Sequence, residues 1–231
     1  MRRLAIGIVV AVLAGGCAED LGGTPLPTDA AALGAASAEA MGQVTSVRFA
    51  LDRTGAPVFI DPAKSLSLDT IEGRFSAPGS ADALVKVTVN GSLSTKLGAV
   101  AIDDEVWMSN PITGEFETLP AGFDIDPSLF FDPKDGWRPL LEGLEDLQFV
   151  GEEDRDGTRY HLTGVAPATE MQSITAGLVR GQDVELDLWL HPVTGLVTAV
   201  EFETTFDGAT SMWVLELFGY GDEYTITDPT V

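Results

Sequence analysis

Alternation of apolar and polar residues runs through most of the chain. In SVRFALD (46–52) Val47, Phe49 and Leu51 share one side, and in DALVKVTVN (82–90) Val85, Val87 and Val89 do. The same period places Leu186, Leu188 and Leu190 together in 183–191, Val200 and Phe202 in 196–206, and Trp213, Leu215 and Leu217 in 210–219. Their neighbours Lys86, Asp187, Glu201, Glu203 and Glu216 are polar, so each strand has a dry face and a wet face. Further strand-like runs occupy 57–60, 66–75, 97–102, 105–109, 147–151 and 158–165. Turn signals fall between them at Asn110–Gly114, Asp156-Gly157, Thr194-Gly195 and Asp207-Gly208.

Helical periodicity is confined to three places. Thr28 or Asp29 can cap a helix with Leu33, Ala36, Ala40, Met41 and Val44 on one side. RPLLEGLEDLQFV clusters Leu140, Leu141, Leu144 and Leu147, and Pro167 opens a helix carrying Met171, Ile174 and Leu178. Residues 120–136 are rich in Asp-Pro and aromatics and read as a long loop. No β-α-β alternation occurs, so the expectation is an α+β fold built on an antiparallel meander covered by helices.

The N-terminus breaks this pattern. Met1-Arg2-Arg3 is followed by an apolar run from Leu4 to Leu13. That run is too short for a bilayer span, which takes about 20 apolar residues, and fits a secretory signal. It ends in Leu13-Ala14-Gly15-Gly16-Cys17, which resembles a bacterial lipobox; the cysteine thiol would take a diacylglyceryl thioether and then acyl chains such as palmitate. The expected organisation is a signal peptide at 1–16, lipidated Cys17 with a Gly/Pro-containing tether to 27, one domain over 28–220 and a polar tail at 221–231. The expected location is the outer side of the cell membrane.

Composition narrows the function. Apolar residues make up 45% of the chain, enough for a substantial core. The net charge is −23, and removing Arg2 and Arg3 with the leader lowers Lys+Arg from 13 to 11 and the charge to −25. Such a surface opposes nucleic acid and anionic membrane surfaces. Cys17 is the one cysteine, so no internal disulfide is available.

Catalytic chemistry is hard to find. His161 lies in a strand pattern and His191 at a strand end, neither with a partner at metal-ligand spacing. No G-x-S-x-G, P-loop, G-x-G-x-x-G or H-E-x-x-H occurs. The acidic runs at 103–105 and 152–156 fall between strands, where solvated turns are expected. Neither an enzyme nor a cofactor or metal is expected. The apolar strand faces themselves allow two readings: a packed core, or a dry cavity for lipid tails. Periodicity does not separate them.

The order of elements, together with VKVTVNGSLSTKLGAVAIDDEVWMS, FFDPKDGWRPLLEGLEDLQFVGEEDRDGTRYHLTGV and DLWLHPVTGLVTAVEFE, resembles the LppX/LprA/LprF/LprG-type envelope lipoproteins. The resemblance implies a strongly curved antiparallel half-barrel of LolA/LolB type, with helices on its concave face and a hydrophobic cavity between them. It implies a carrier that shelters the acyl chains of lipids or lipoglycans during transfer across the envelope, with a lipid exporter as a further partner. The lining it implies is Val85, Val87, Val89, Leu144, Ile174, Leu178, Leu186, Leu188, Leu190, Val200, Phe202, Trp213 and Leu215. Phe123, Phe130, Phe131 and Trp137 would form either a lip at the cavity mouth or a plug in the core. The alternative function is an envelope interaction or assembly module with a filled core.

Overall fold

Asp29 opens the first helix, α1 (Ala30–Met41), by accepting the Ala32 N–H at 2.9 Å. The computed structural model describes residues 23–103, 105–119, 131, 136–175 and 177–230. From α1 the chain enters a meander of β1 (Ser46–Gly55), β2 (Leu66–Ser76), β3 (Ser80–Val89), β4 (Leu93–Ile102), β5 (Glu105–Ser109) and β6 (Phe116–Thr118). After α2 (Trp137–Glu142) come β7 (Glu145–Asp154) and β8 (Thr158–Ala166), then α3 (Ala168–Ile174), β9 (Val184–Leu190), β10 (Val197–Phe206) and β11 (Ala209–Phe218).

All eleven strands form one antiparallel sheet, ordered β6-β5-β4-β3-β2-β1-β11-β10-β9-β8-β7. It is curved and unclosed. Two consecutive meanders are joined at its centre, where Phe49 of β1 lies opposite Leu217 of β11 and Leu51 opposite Leu215. The edges are blunted: β6 has 3 residues, and β7 is acidic and irregular in its pairing with β8.

Register converts the sequence alternation into two faces. Leu186, Phe202 and Trp213 form one row, and Leu188, Val200, Leu215, Leu51, Ile71, Val85 and Leu97 form the next. The helices cover this face. Gly73 fits here because the Phe49 ring lies over it; a β-carbon at Gly73 would run into Phe49 Cζ and meet the Asp82 carbonyl oxygen at 2.6 Å.

The middle segment departs from its helical periodicity. The helix of 137–142 stops at Gly143, and the chain is already a strand by Glu145, with Asp146 at φ +50°. Leu144 and Leu147 therefore do not continue the face of Leu140 and Leu141. Pairing with β8 and inward alternation of Leu147 and Phe149 override the local pattern. Two smaller differences concern 57–60, which contributes only a bridge from Phe59 to Ser67, and β6, which arises within a stretch read for its turn.

Candidate functional site

Between the sheet and the two later helices lies a small apolar cavity of about 50 Å³. Leu186, Val200, Phe202, Trp213, Leu215 and Leu51 form its sheet side. Trp137 and Leu140 of α2, Met171 and Ile174 of α3, and Thr175 and Leu178 just beyond form its roof. Thr175 adds no free polar group, since its hydroxyl donates to the Met171 carbonyl and accepts the Val179 N–H. A water needs about 10–15 Å³ and a ligand pocket usually has about 300–1,000 Å³, so this space holds no more than a fragment of an acyl chain.

The roof is made of short elements. Helices α2 and α3 have 6 and 7 residues and no side-chain cap hydrogen bond. Helices this short are held by packing rather than by their own propensity. Past α3, Gln182 clasps β10 by accepting the Thr205 N–H at 3.0 Å and donating to the Thr205 carbonyl at 3.3 Å. Polar groups close the sheet side at the same end. The Trp213 indole N–H donates to Thr204 Oγ1 at 2.8 Å, and buried Arg53 donates to the Leu68 and Ala56 carbonyls beside Asp69 at 3.6 Å. Burial pulls the Arg53 pKa down, with Asp69 opposing that shift.

Of the expected lining, Ile174, Leu178, Leu186, Val200, Phe202, Trp213 and Leu215 surround this cavity. Val85, Val87, Leu188 and Leu190 are buried on the same face but away from it, and Val89 and Leu144 pack partly exposed against the core. Trp137 is the first residue of α2, 3% exposed and in the roof, so it belongs to the interior rather than to a loop. Its indole N–H has no hydrogen-bond partner. Phe131 stacks on Phe75 at 4.7 Å between centroids, as a plug. Cys17, Phe123 and Phe130 lie outside the described residues. Leu51, Leu140, Met171 and Thr175 are lining residues that sequence reasoning left out; the signal was Met171 standing three positions before Ile174 on one helical face.

The opposite face carries a larger, open groove of about 450 Å³. Arg48 and Arg74 stand directly opposite each other there, with Phe116, Phe218, Leu84 and Val100 alongside. Arg74 is tied to Asp82, and Arg48 lies over the Phe218 ring at 5.2 Å. Further along this face, His161 stacks on Trp189 at 4.6 Å, with Nδ1 2.7 Å from Glu153 and Nε2 2.7 Å from Asp187. Arg155 covers the other side of Trp189 at 3.9 Å and donates to Glu201 at 2.7 Å. These side chains partner one another. Among the described residues no cluster of His, Cys, Asp and Glu is suited to a metal, and no helix is long and apolar enough to cross a membrane.

The LppX_LprAFG lipoprotein family matches residues 29–226. The crystal structure of LprF from Mycobacterium bovis superposes with a TM-score of 0.67 at 15% identity, covering 89% of this chain and 99% of that one. The Mycobacterium tuberculosis lipoprotein LppX superposes at 0.58 and 18% identity, covering 86% and 100%. A LolA-superfamily protein, NE2245 from Nitrosomonas europaea, overlaps over 84% and 93% at 10% identity with a TM-score of 0.29. No curated protein matches the chain.

Proposed function

From the chain's membership of the LppX_LprAFG lipoprotein family, we propose that it is an envelope lipoprotein, anchored through acylated Cys17, that binds the acyl chains of a lipid or lipoglycan and carries them across the envelope. The observation that supports this most is the apolar cavity under α2 and α3. Its floor is a rigid sheet and its roof is two short helices that can lift without breaking a sheet hydrogen bond. Lifting them enlarges about 50 Å³ into a trough bounded by Leu186, Val200, Phe202, Trp213 and Leu215. Exposing an acyl chain to water costs about 0.8 kcal/mol per methylene, so a protein trough that replaces bilayer contacts lowers the barrier without covalent chemistry. The tether holds the trough near its source of lipid and raises the local concentration.

The test is the lipid content of a Cys17→Ser chain, which lacks an anchor of its own. Extraction and mass spectrometry should yield acyl lipids in stoichiometric amount. A lipid-free chain that also takes up no fluorescent acyl lipid overturns the reading. The packing of Phe131 on Phe75 and the small size of the cavity favour the second reading, an interaction module with a filled core. That module would be lipid-free and would yield a defined protein partner on crosslinking.

A further inference from the structure

A buried indole usually finds an acceptor for its N–H. Trp189 donates to Glu153 at 2.8 Å, and Trp213 donates to Thr204 Oγ1 at 2.8 Å. Trp137 is the exception. It is 3% exposed, and its Nε1–H is covered and unpaired. Among the described residues, the other buried side-chain N or O atom without a partner is Ser37 Oγ of α1, which takes no part in the cavity lining. Trp137 does line the cavity.

The unpaired N–H sits on one of the two roof elements. Trp137 is the first residue of α2, the six-residue helix over the cavity. With the roof down the cavity wall is apolar, and nothing replaces the water this N–H gave up on burial. A phenylalanine would give the roof an aromatic ring without that cost. The other hydrogen-bonding side chains of the lining are spent. Thr175 donates to the Met171 carbonyl and accepts the Val179 N–H, and Trp213 is held by Thr204. Trp137 therefore carries the one uncommitted N–H donor of the lining side chains.

We propose that the Trp137 indole N–H is the polar anchor of the acyl site, donating to the carbonyl oxygen of an ester-linked chain once α2 is raised. The inference rests on the carrier reading above and adds the kind of chain that such a carrier selects. A lone neutral donor among apolar side chains suits a lone neutral acceptor. A free carboxylate would bring a charge, and no lining residue is charged. Arg53, at the same end of the sheet, already donates to the Leu68 and Ala56 carbonyls beside Asp69. An amide would bring an N–H of its own, and the one side-chain oxygen of the lining, Thr175 Oγ1, already accepts the Val179 N–H. A plain hydrocarbon would leave the indole unpaired. An ester carbonyl accepts without donating, which is the complement this donor lacks.

The test titrates the full Cys17→Ser chain with pyrene-labelled chains of equal length that end as a hydrocarbon, a methyl ester or a methyl amide. The ester-to-hydrocarbon affinity ratio should be about tenfold higher with Trp137 in place than in Trp137→Phe. Taking the ratio cancels any loss of shape that both probes feel. The amide-to-hydrocarbon ratio should change less than the ester's. Proton NMR gives a second readout that needs no variant: the Trp137 indole N–H should move downfield when the ester binds and not when the hydrocarbon binds. An ester ratio unchanged in Trp137→Phe, an amide ratio that changes as much as the ester's, or an indole proton unmoved by bound ester overturns this inference and leaves the carrier reading standing. A chain that binds none of the three probes overturns the carrier reading, and this inference with it.

Discussion

Trp189 of β9 donates its indole N–H to Glu153 of β7 at 2.8 Å, reaching past the intervening strand β8, whose His161 bonds the other Glu153 oxygen. Three strands near the sheet edge are thus laced on the face away from the helices. The Trp189 bond is the largest influence holding the Glu153 carboxyl below its ordinary value, ahead of its contact with His161.

A carboxyl with a depressed folded pKa stabilises the fold above its unfolded value, and that contribution is lost as pH falls through the folded value. Wild type should therefore lose melting temperature as pH drops below about 4.5, the ordinary Glu value. Trp189→Phe keeps an aromatic face for His161 and Arg155 but removes the donor. Its melting temperature should be lower at pH 7, and the acid loss shallower. A parallel acid limb in both proteins would show that the indole bond does not set it.

At the alkaline end the group to watch is Tyr220. Its hydroxyl donates to the Val197 carbonyl, and burial raises its pKa well above the ordinary 10.0. A raised folded pKa gives stability that is intact below the unfolded value and lost as pH climbs from there toward the folded one. Melting temperature should fall above pH 10.0. Tyr220→Phe should start lower by about 1 kcal/mol for the missing hydrogen bond and fall less steeply. Tyr224, also raised by burial, remains in both proteins as a shared background.

Gly73→Ala should destabilise the sheet by about 1–3 kcal/mol, because the new methyl group meets the Phe49 ring and the Asp82 carbonyl. Chemical denaturation reads this directly. Gly91→Ala should cost less in space, since nothing lies within 4 Å of its β-carbon position, although its φ of +69° adds strain.

Leu178→Trp tests the cavity. Leu178 is half-buried in the roof beyond α3, so a larger side chain can enter the space without reshaping a strand. Acyl-lipid content of the Cys17→Ser chain should fall severalfold while the melting temperature holds. Leu188→Ala provides the contrast: it sits away from the cavity and should cost about 2–5 kcal/mol of stability. Equal lipid content in Leu178→Trp and its parent would place the ligand elsewhere.

Alternation made the sheet legible, because a period of two survives wherever one face is wet. Val47-Phe49-Leu51, Val85-Val87 and Leu186-Leu188-Leu190 all lie on the face their spacing indicates. The strand expected at 147–151 forms, but it begins earlier, at Glu145, because Leu140, Leu141, Leu144 and Leu147 satisfy helical spacing while Leu147 and Phe149 also satisfy a strand; pairing with β8 decided between them. The cavity was only partly legible. Leu186 and Leu188 are indistinguishable in sequence, and the position of α2 and α3 over the sheet selects the first. The ladder from Trp189 through His161 to Glu153 joins three strands, so no local spacing announces it.

The central seam has a consequence for how the chain is made. β1 pairs with β11, so the middle of the sheet joins the first strand to the last. Until β11 emerges, the two meanders expose unpaired backbone at Phe49–Leu51 and cannot zip together. Long-range closure of this kind is slow. A chain made from its N-terminus therefore cannot close this sheet until its last strand has been made.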